Sequence, residues 1–411
     1  MKASIPSANQ RSWVRKFAKP IVAIVTSVIC LTIAEMALRI FSPLPDPYID
    51  FKYKKELNQY IKSEFPKNLQ LVTEPEEGLS GVHGPNRFTI NNMGFRGDYL
   101  TVPKPTNEFR IFMVGGSTTE CLYLDDSKAI TRVLQEELGK TEAGKFTVKV
   151  YGAGKSGDAS GDHCSMIVHR IVQLEPDMII LFAGVNDLTR SIFAYDYSHY
   201  VSETPPQRIP LLKSLATESQ IVRRVRYLFR KVWPNRGERA QDIYLHSRYR
   251  EDAQLCASTP ISDQKPRVDV TGYAKNLKTI AGVARAHGIQ IVLMTQLATW
   301  NSPNTPNLKE WQSMLCRGEV RYREDLMDEA LEAFNNQMRQ TAQQYSVPLY
   351  DLARVVPKSR DFFYDDVHFN DQGAHLAGVQ LAALIQQLNL TLDRPTIPGP
   401  VSTPDSTKKP H

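Results

Sequence analysis

The sequence predicts an α/β fold in which helices cover both faces of a parallel five-stranded sheet. Three observations lead there. Five apolar runs of strand length recur along the chain. Helical patterns lie between them, and strands alternating with helices mean βαβ units and parallel pairing. Most of the runs are continuously apolar rather than alternating, as strands covered on both faces are.

The elements follow in order. Residues 1–19 carry Lys2, Arg11, Arg15, Lys16 and Lys19 and no acid. The apolar run from Pro20 to Phe41 then has the length a helix needs to cross a bilayer core. Glu35 and Arg39 interrupt its far end, and as i, i+4 neighbours they can pair near the interface. The basic flank belongs on the cytoplasmic side, which puts the rest of the chain outside. A cleaved signal peptide is the other reading, because "TIA" before Glu35 places small residues suitably. The run is longer than a usual signal-peptide apolar core, which favours an uncleaved anchor over residues 20–41. Ile29 before Cys30 does not suit lipoprotein cleavage, so Cys30 reads as an apolar membrane residue.

Residues 44–108 are polar and rich in turns, a collar that ends in "FTINNMGFRGDYL". The strand candidates are "FRIFMVG" from 109, "FTVKVYG" from 146, "DMIILFAG" from 177, "IQIVLMTQ" from 289 and "VPLYDL" from 347. Helical patterns cover 127–138, 160–174, 270–287, 322–345 and 371–388. The main domain therefore spans 109–190 and 270–391, three-layered and flavodoxin-like. Its third-to-fourth connection is too long for a simple crossover, so residues 191–269 form an insertion. Residues 392–411 hold five prolines without apolar periodicity and read as a disordered tail.

Within the insertion, Ile221, Val222, Val225, Leu228, Phe229 and Val232 fall at helical spacing. Arg223, Arg224, Arg226, Arg230 and Lys231 take the other faces. This is a solvated helix packed on its apolar stripe, or a basic surface for lipid headgroups or an acidic polysaccharide.

Hydrophobic residues at 42% and charged residues at 23% allow a sizeable core. A net charge of +6 does not by itself argue for nucleic acid, and with no zinc-finger spacing, RNP-type run or long basic tract no nucleic-acid partner is expected. No His/Cys cluster has metal-ligand spacing, and no cofactor is expected. Cys121, Cys164, Cys256 and Cys316 are even in number, which in an exported domain permits two disulfides in three connectivities. Cys121 and Cys164 follow neighbouring strand ends and are one candidate pair.

"VYGAGKSGDAS" at 150–160 looks like a phosphate loop, but its first glycine should stand where Lys149 is. Another role must explain these glycines. In an open parallel sheet the ligand lies beyond the carboxyl ends of the strands. The first strand is followed by "GGSTTE" with Ser117, and the second by this glycine turn. The third is followed by "GVND" with Asn186 and Asp187. Past the fifth comes "YDDVHFND" with Asp365 and His368. A serine hydroxyl needs a base, and the base needs a third group to fix its tautomer. His368 can be that base, and Asp365 three residues earlier can hold the far imidazole nitrogen. Oxyanion donors are the Ser117 N–H, a glycine N–H in the turn after the second strand, and the Asn186 amide. His163 and His375, without partner patterns, read as surface or capping histidines.

These four blocks resemble the SGNH hydrolases, the GDSL-like lipase/acylhydrolase superfamily, over about 88–190 and 270–390. The resemblance makes Ser117 the nucleophile, and Asp365 and His368 the rest of the triad. It places the oxyanion hole on Ser117, Gly157 and Asn186, with Asp187 orienting the asparagine loop. Lys155 is then incidental. The family's first block is usually G-D-S, whereas this chain has Gly115-Gly116-Ser117. The expected activity is hydrolysis of acyl esters, most simply O-acetyl, on a small molecule or an extracytoplasmic carbohydrate. The alternatives are an O-acyltransferase acting on a cell-surface polysaccharide, and a non-catalytic polysaccharide-binding or assembly module. Nothing in the sequence names a protein partner.

Overall fold

The computed structural model describes residues 8–42, 61, 64–141, 146–193, 219–225, 249–302, 311–317 and 320–389. The chain forms two compact units, residues 1–53 with 205–243, and residues 54–204 with 244–411.

In the first unit, helix α1 (Ala8–Phe41) contains the stretch Val22–Phe41, which is long and apolar enough to cross a membrane and has none of its surface buried. Glu35 accepts a hydrogen bond from Arg39 at 2.8 Å, the expected i, i+4 pair. The same carboxylate also accepts from Ser219 Oγ and from the backbone N–H groups of Gln220 and Ile221, at 2.8–3.0 Å. It thereby caps the helical residues 220–225. Residues 226–232 of the expected insertion helix lie outside the described residues, as does the tail at 392–411.

The second unit is built on β3 (Glu108–Gly115), β4 (Thr147–Gly154), β5 (Met178–Phe182), β7 (Gln290–Met294) and β10 (Leu349–Tyr350). They form one sheet in the order β10–β7–β5–β3–β4, every pair parallel. All five expected strands are present, the last shortened to two residues. Strands β3 and β5 are buried along their whole length, which is why their sequences do not alternate. A fully buried side chain such as Phe112 contributes about 1.5–3 kcal/mol through lost apolar surface. Arg110 is the polar exception. It is fully buried but bonded to Glu108 at 2.6 Å and to the carbonyls of Leu174 and Thr101.

Register sets where the site forms. Gly115, at the end of β3, pairs with Gly154 on one side and Phe182 on the other. Three strands stop at one level, so the turns that follow them meet.

Helices α2 (Ser117–Glu120), α3 (Ile130–Thr141), α4 (Ser160–Met166), α5 (Val185–Ile192), α7 (Thr271–Ala286), α8 (Glu324–Tyr345), α9 (Leu352–Val355) and α10 (Asp371–Gln387) complete the layers. The helix expected over 160–174 continues beyond α4 as a π-turn and a 3₁₀-turn. The collar supplies the antiparallel pair β1 (Gln70–Thr73) and β2 (Asn86–Thr89). Just beyond, Arg96 exchanges two backbone hydrogen bonds with Gly152, at 3.0 and 2.7 Å. The collar thus covers the free edge of β4, satisfying groups that an edge strand leaves open.

Residues 249–262, expected inside the insertion, fold with the sheet-bearing unit. They form α6 (Tyr249–Ser258) and β6 (Ile261–Ser262). β6 pairs with β9 (Val320–Tyr322), which pairs with β8 (Cys316–Arg317). A Cys256–Cys316 disulfide, with Cα atoms 5.5 Å apart, staples this small sheet to α6. Cys121 and Cys164 do not pair and are free thiols. The Cys121 thiol donates to the Thr118 carbonyl at 3.2 Å inside its own turn, while Cys164 packs against the apolar core. Their local environments hold the two thiols apart, so only one of the two disulfides that the even count allowed is formed.

Candidate active site

The sharp turn from β3 into α2 exposes Ser117. Gly116 precedes it, and a Cβ at that position would lie 2.6 Å from the Asn186 amide nitrogen. Glycine at this position leaves room for the Asn186 amide beside the serine turn. Ser117 is the first residue of α2, so its N–H has no carbonyl behind it in the helix.

The Ser117 hydroxyl donates to His368 Nε2 at 2.7 Å, and His368 Nδ1 donates to Asp365 Oδ2 at 2.6 Å. The other Asp365 oxygen accepts the backbone N–H groups of Val367 and His368 at 2.9 and 2.8 Å. The carboxylate is thereby locked against its own loop. Burial presses His368 toward the neutral form, but Asp365, Asp366 and Glu120 outweigh it and raise its pKa above the ordinary histidine value. The Tyr364 ring stacks on the imidazole at 5.5 Å, fixing its plane.

The second turn, Lys155–Asp158, closes with a backbone bond of 3.1 Å and carries Gly157 at φ +82°, the geometry of a type II turn that calls for glycine there. Asn186 spends one amide N–H on the Asp158 carbonyl at 2.7 Å and keeps the second for another acceptor. Asp187, buried, accepts from Ser160 Oγ at 2.5 Å and from the Ser160 N–H, tying α5 to the start of α4. Ser117, Gly157, Asn186, Asp365 and His368 thus come from four loops at one edge of the sheet. Such an arrangement can activate a hydroxyl and hold a developing oxyanion.

Several expectations change. Lys155 is not incidental: its ammonium lies over the Phe65 ring, 3.7 Å from the centroid, and burial lowers its pKa. Its charge also acts on Glu120, a buried carboxyl whose pKa burial raises and which accepts from Ser156 Oγ. Glu120 therefore joins the serine turn to the Gly157 turn. His163 is buried rather than at the surface, and burial followed by the charge of Arg190 brings its pKa down to about 3. His375 is exposed, as expected.

Two supporting residues escaped the sequence reading. Arg96, buried, donates to the carbonyls of Glu120, Cys121 and Leu124 at 2.6–2.8 Å and to Asp126 at 3.1 Å. It holds the end of the turn that bears Ser117, where helix-end carbonyls lack partners inside the helix. The "GFRGD" run in the collar was its only trace. Asp366 faces away from His368 and accepts from Trp300 Nε1 at 2.5 Å and from the N–H groups of Ser313 and Met314. Burial, with Asp365 beside it, pushes its pKa up to about 6. Among the described residues no cluster of three His, Cys, Asp or Glu suits a metal ion.

Comparison with known proteins agrees with this architecture. Residues 113–376 match the GDSL-like Lipase/Acylhydrolase family. Similar solved structures include LAE5, an α/β hydrolase from the metagenome of Lake Arreo, Spain, at 14% identity, covering 67% of this chain and 94% of that one, with a TM-score of 0.37. An acetylxylan esterase from Geobacillus stearothermophilus is 12% identical, covers 68% and 93%, and has a TM-score of 0.37. A lipase/acylhydrolase from Enterococcus faecalis is 14% identical, covers 68% and 96%, and has a TM-score of 0.36. No curated protein matches the sequence. With the family match spanning more than half of the chain and all four loops of the site, the protein belongs to the GDSL-like lipase/acylhydrolase family and is an SGNH-type hydrolase of ester bonds.

Proposed function

We propose that the protein is a serine esterase that removes acyl groups, most simply O-acetyl, from an extracytoplasmic carbohydrate, with Ser117, His368 and Asp365 as its triad. The observation that carries this reading is the continuous relay from Ser117 Oγ to His368 Nε2 at 2.7 Å and from His368 Nδ1 to Asp365 at 2.6 Å.

The Ser117 oxygen attacks the acyl carbonyl as neutral His368 takes its proton at Nε2. Asp365 keeps the Nδ1–H tautomer and stabilises the imidazolium. The N–H groups of Ser117 and Gly157 and the second amide N–H of Asn186 receive the oxyanion. His368 then returns its proton to the departing sugar oxygen. Water, activated by the same base, releases the acid from Ser117. The chain's own side chains supply every proton transfer.

The carbohydrate rests on compartment and on the family resemblance, since a fold alone does not fix a substrate. Five basic residues before an apolar stretch support a cytoplasmic N-terminus and an outside catalytic unit. The test is hydrolysis of short-chain aryl esters by the purified chain, with and without sugar acceptors. Release of acid in water supports the esterase. Acyl transfer that outruns hydrolysis when sugar is present makes the protein a transferase, and no turnover of any ester removes both readings.

A further inference from the structure

Arg317 is a charged group for which the reaction above has no use. It ends β8, next to the Cys256–Cys316 disulfide. Its Nη1 donates to the Cys316 carbonyl at 2.8 Å and its Nη2 to Thr189 Oγ1 at 3.1 Å. Its Nε is buried and makes no hydrogen bond. Both partners are neutral oxygens, and among the described residues no carboxylate forms an ion pair with it. Burial accordingly lowers its pKa, opposed by Asp366 acting through space. Asp366 itself has both oxygens occupied by Trp300, Ser313 and Met314.

Its guanidinium bonds the helix that carries Asn186. Thr189 lies three residues beyond Asn186 on α5, and residues three apart share a helix face. Asn186, Thr189, Arg190 and Ile192 are the partly exposed residues of that helix, whereas Val185, Asp187, Leu188 and Ser191 are buried. The Arg190 guanidinium reaches to within 3.4 Å of the Gly157 carbonyl, so this face looks toward the Gly157 turn. Arg190 is neutralised by Asp162 at 2.5 Å. Asp366 adjoins Asp365 in the chain. Arg317 therefore stands between one helical turn past Asn186 and the neighbour of the triad acid.

We propose that Arg317 binds a carboxylate on the substrate, so that the preferred ester is an O-acylated, uronic acid-containing oligosaccharide. This rests on the esterase reading above. A partly buried charge that has no counter-ion among the described residues is costly, and a carboxylate arriving with the substrate supplies a partner. Guanidinium suits the task, because its planar fork matches a carboxylate and it tolerates loss of water better than an ammonium. Fixing a sugar carboxylate beside Asn186 would also orient the ring and its ester toward Ser117.

The experiment compares kcat/KM of the full chain on acetylated oligogalacturonide and on a neutral acetylated oligosaccharide of equal length. Calorimetric titration with the same two oligosaccharides, free of acetyl groups, runs alongside. The wild type is expected to prefer the acidic substrate, and Arg317→Gln to erase that preference by about tenfold to a hundredfold, chiefly through KM. Arg317→Lys, which keeps the charge but not the fork, is expected to retain part of it. No preference in the wild type, or equal proportional losses on both substrates in a variant with wild-type circular dichroism, overturns the proposal. If no ester is hydrolysed the esterase reading fails, and titration still decides the site. Weaker oligogalacturonide binding by Arg317→Gln supports it, and unchanged binding overturns it. Should the glutamine variant not fold, the lysine variant and wild-type titration carry the same comparison.

Discussion

Arg96 donates to the Glu120 carbonyl at 2.8 Å, and through that bond a residue of the collar holds the turn on which Ser117 sits. The same guanidinium holds Cys121 and Leu124 and pairs with Asp126. Lysine cannot reproduce this set of directions. Arg96→Lys is expected to destabilise the protein by about 2–4 kcal/mol, as breaking a buried polar network does. In the fraction that stays folded, kcat should drop with little change in KM. Thermal melts and steady-state kinetics on an aryl ester check both. A wild-type kcat in a folded variant would show that the serine turn does not depend on Arg96.

Ser117→Ala removes the hydroxyl and leaves a turn that alanine can occupy. Hydrolysis should fall by at least about 10³-fold, leaving what binding and the oxyanion donors provide. The melting temperature should stay within a few degrees. Residual turnover near the wild-type rate would end the serine-hydrolase reading.

Asn186→Ala takes away the amide that the proposed mechanism assigns to the oxyanion. The expected loss is roughly 10²–10³ in kcat at nearly constant KM. Because the same amide also holds the Asp158 carbonyl, a loosened Gly157 turn should add to that loss. A change confined to KM would assign Asn186 to substrate binding.

The pH profile follows from His368. The reactive form is the neutral imidazole, and the raised pKa keeps the ring protonated to higher pH than an ordinary histidine. kcat/KM should therefore rise with pH through a limb above 6.5, the ordinary histidine value. Asp365→Asn removes an opposing charge, so the limb should move to lower pH while kcat falls by about 10⁴. A limb that does not move in this variant would mean that another group titrates.

Cys256 and Cys316 are 60 residues apart, and closing a loop of that size restricts the unfolded chain by about 4 kcal/mol on the chain-entropy model. Cys256→Ser should lower the melting temperature by several degrees. Since Ser313 and Met314, just ahead of Cys316, hold Asp366, activity at a temperature well below the melt should also weaken. Equal melting curves for oxidised and reduced protein would remove the disulfide from the stability of the fold.

The parts of this site that were legible in the sequence share one property: each lies between an apolar run that could be read as a strand and the helical pattern that follows it. Ser117, Asn186, Asp365 and His368 stood out for that reason. Arg96 did not, because it acts on backbone carbonyls 24 to 28 residues away, and main-chain oxygens leave no mark in a sequence. Asp365 and Asp366 are adjacent and chemically identical. Only the Trp300 indole and the N–H groups of residues 313 and 314 reveal that Asp366 is turned the other way. The disulfide was one of several allowed connectivities, because its partners are brought together by strands of two or three residues. Lys155 looked like the relic of a phosphate loop, and its aromatic neighbour Phe65 comes from the collar, 90 positions earlier.

The serine and its base are 251 residues apart in the chain. As the polypeptide emerges from the ribosome, β3, β4 and β5 with their turns are complete long before His368 exists. A chain ending before residue 365 would keep the turns that carry Ser117, Gly157 and Asn186 but would lack the imidazole that is hydrogen-bonded to the Ser117 hydroxyl.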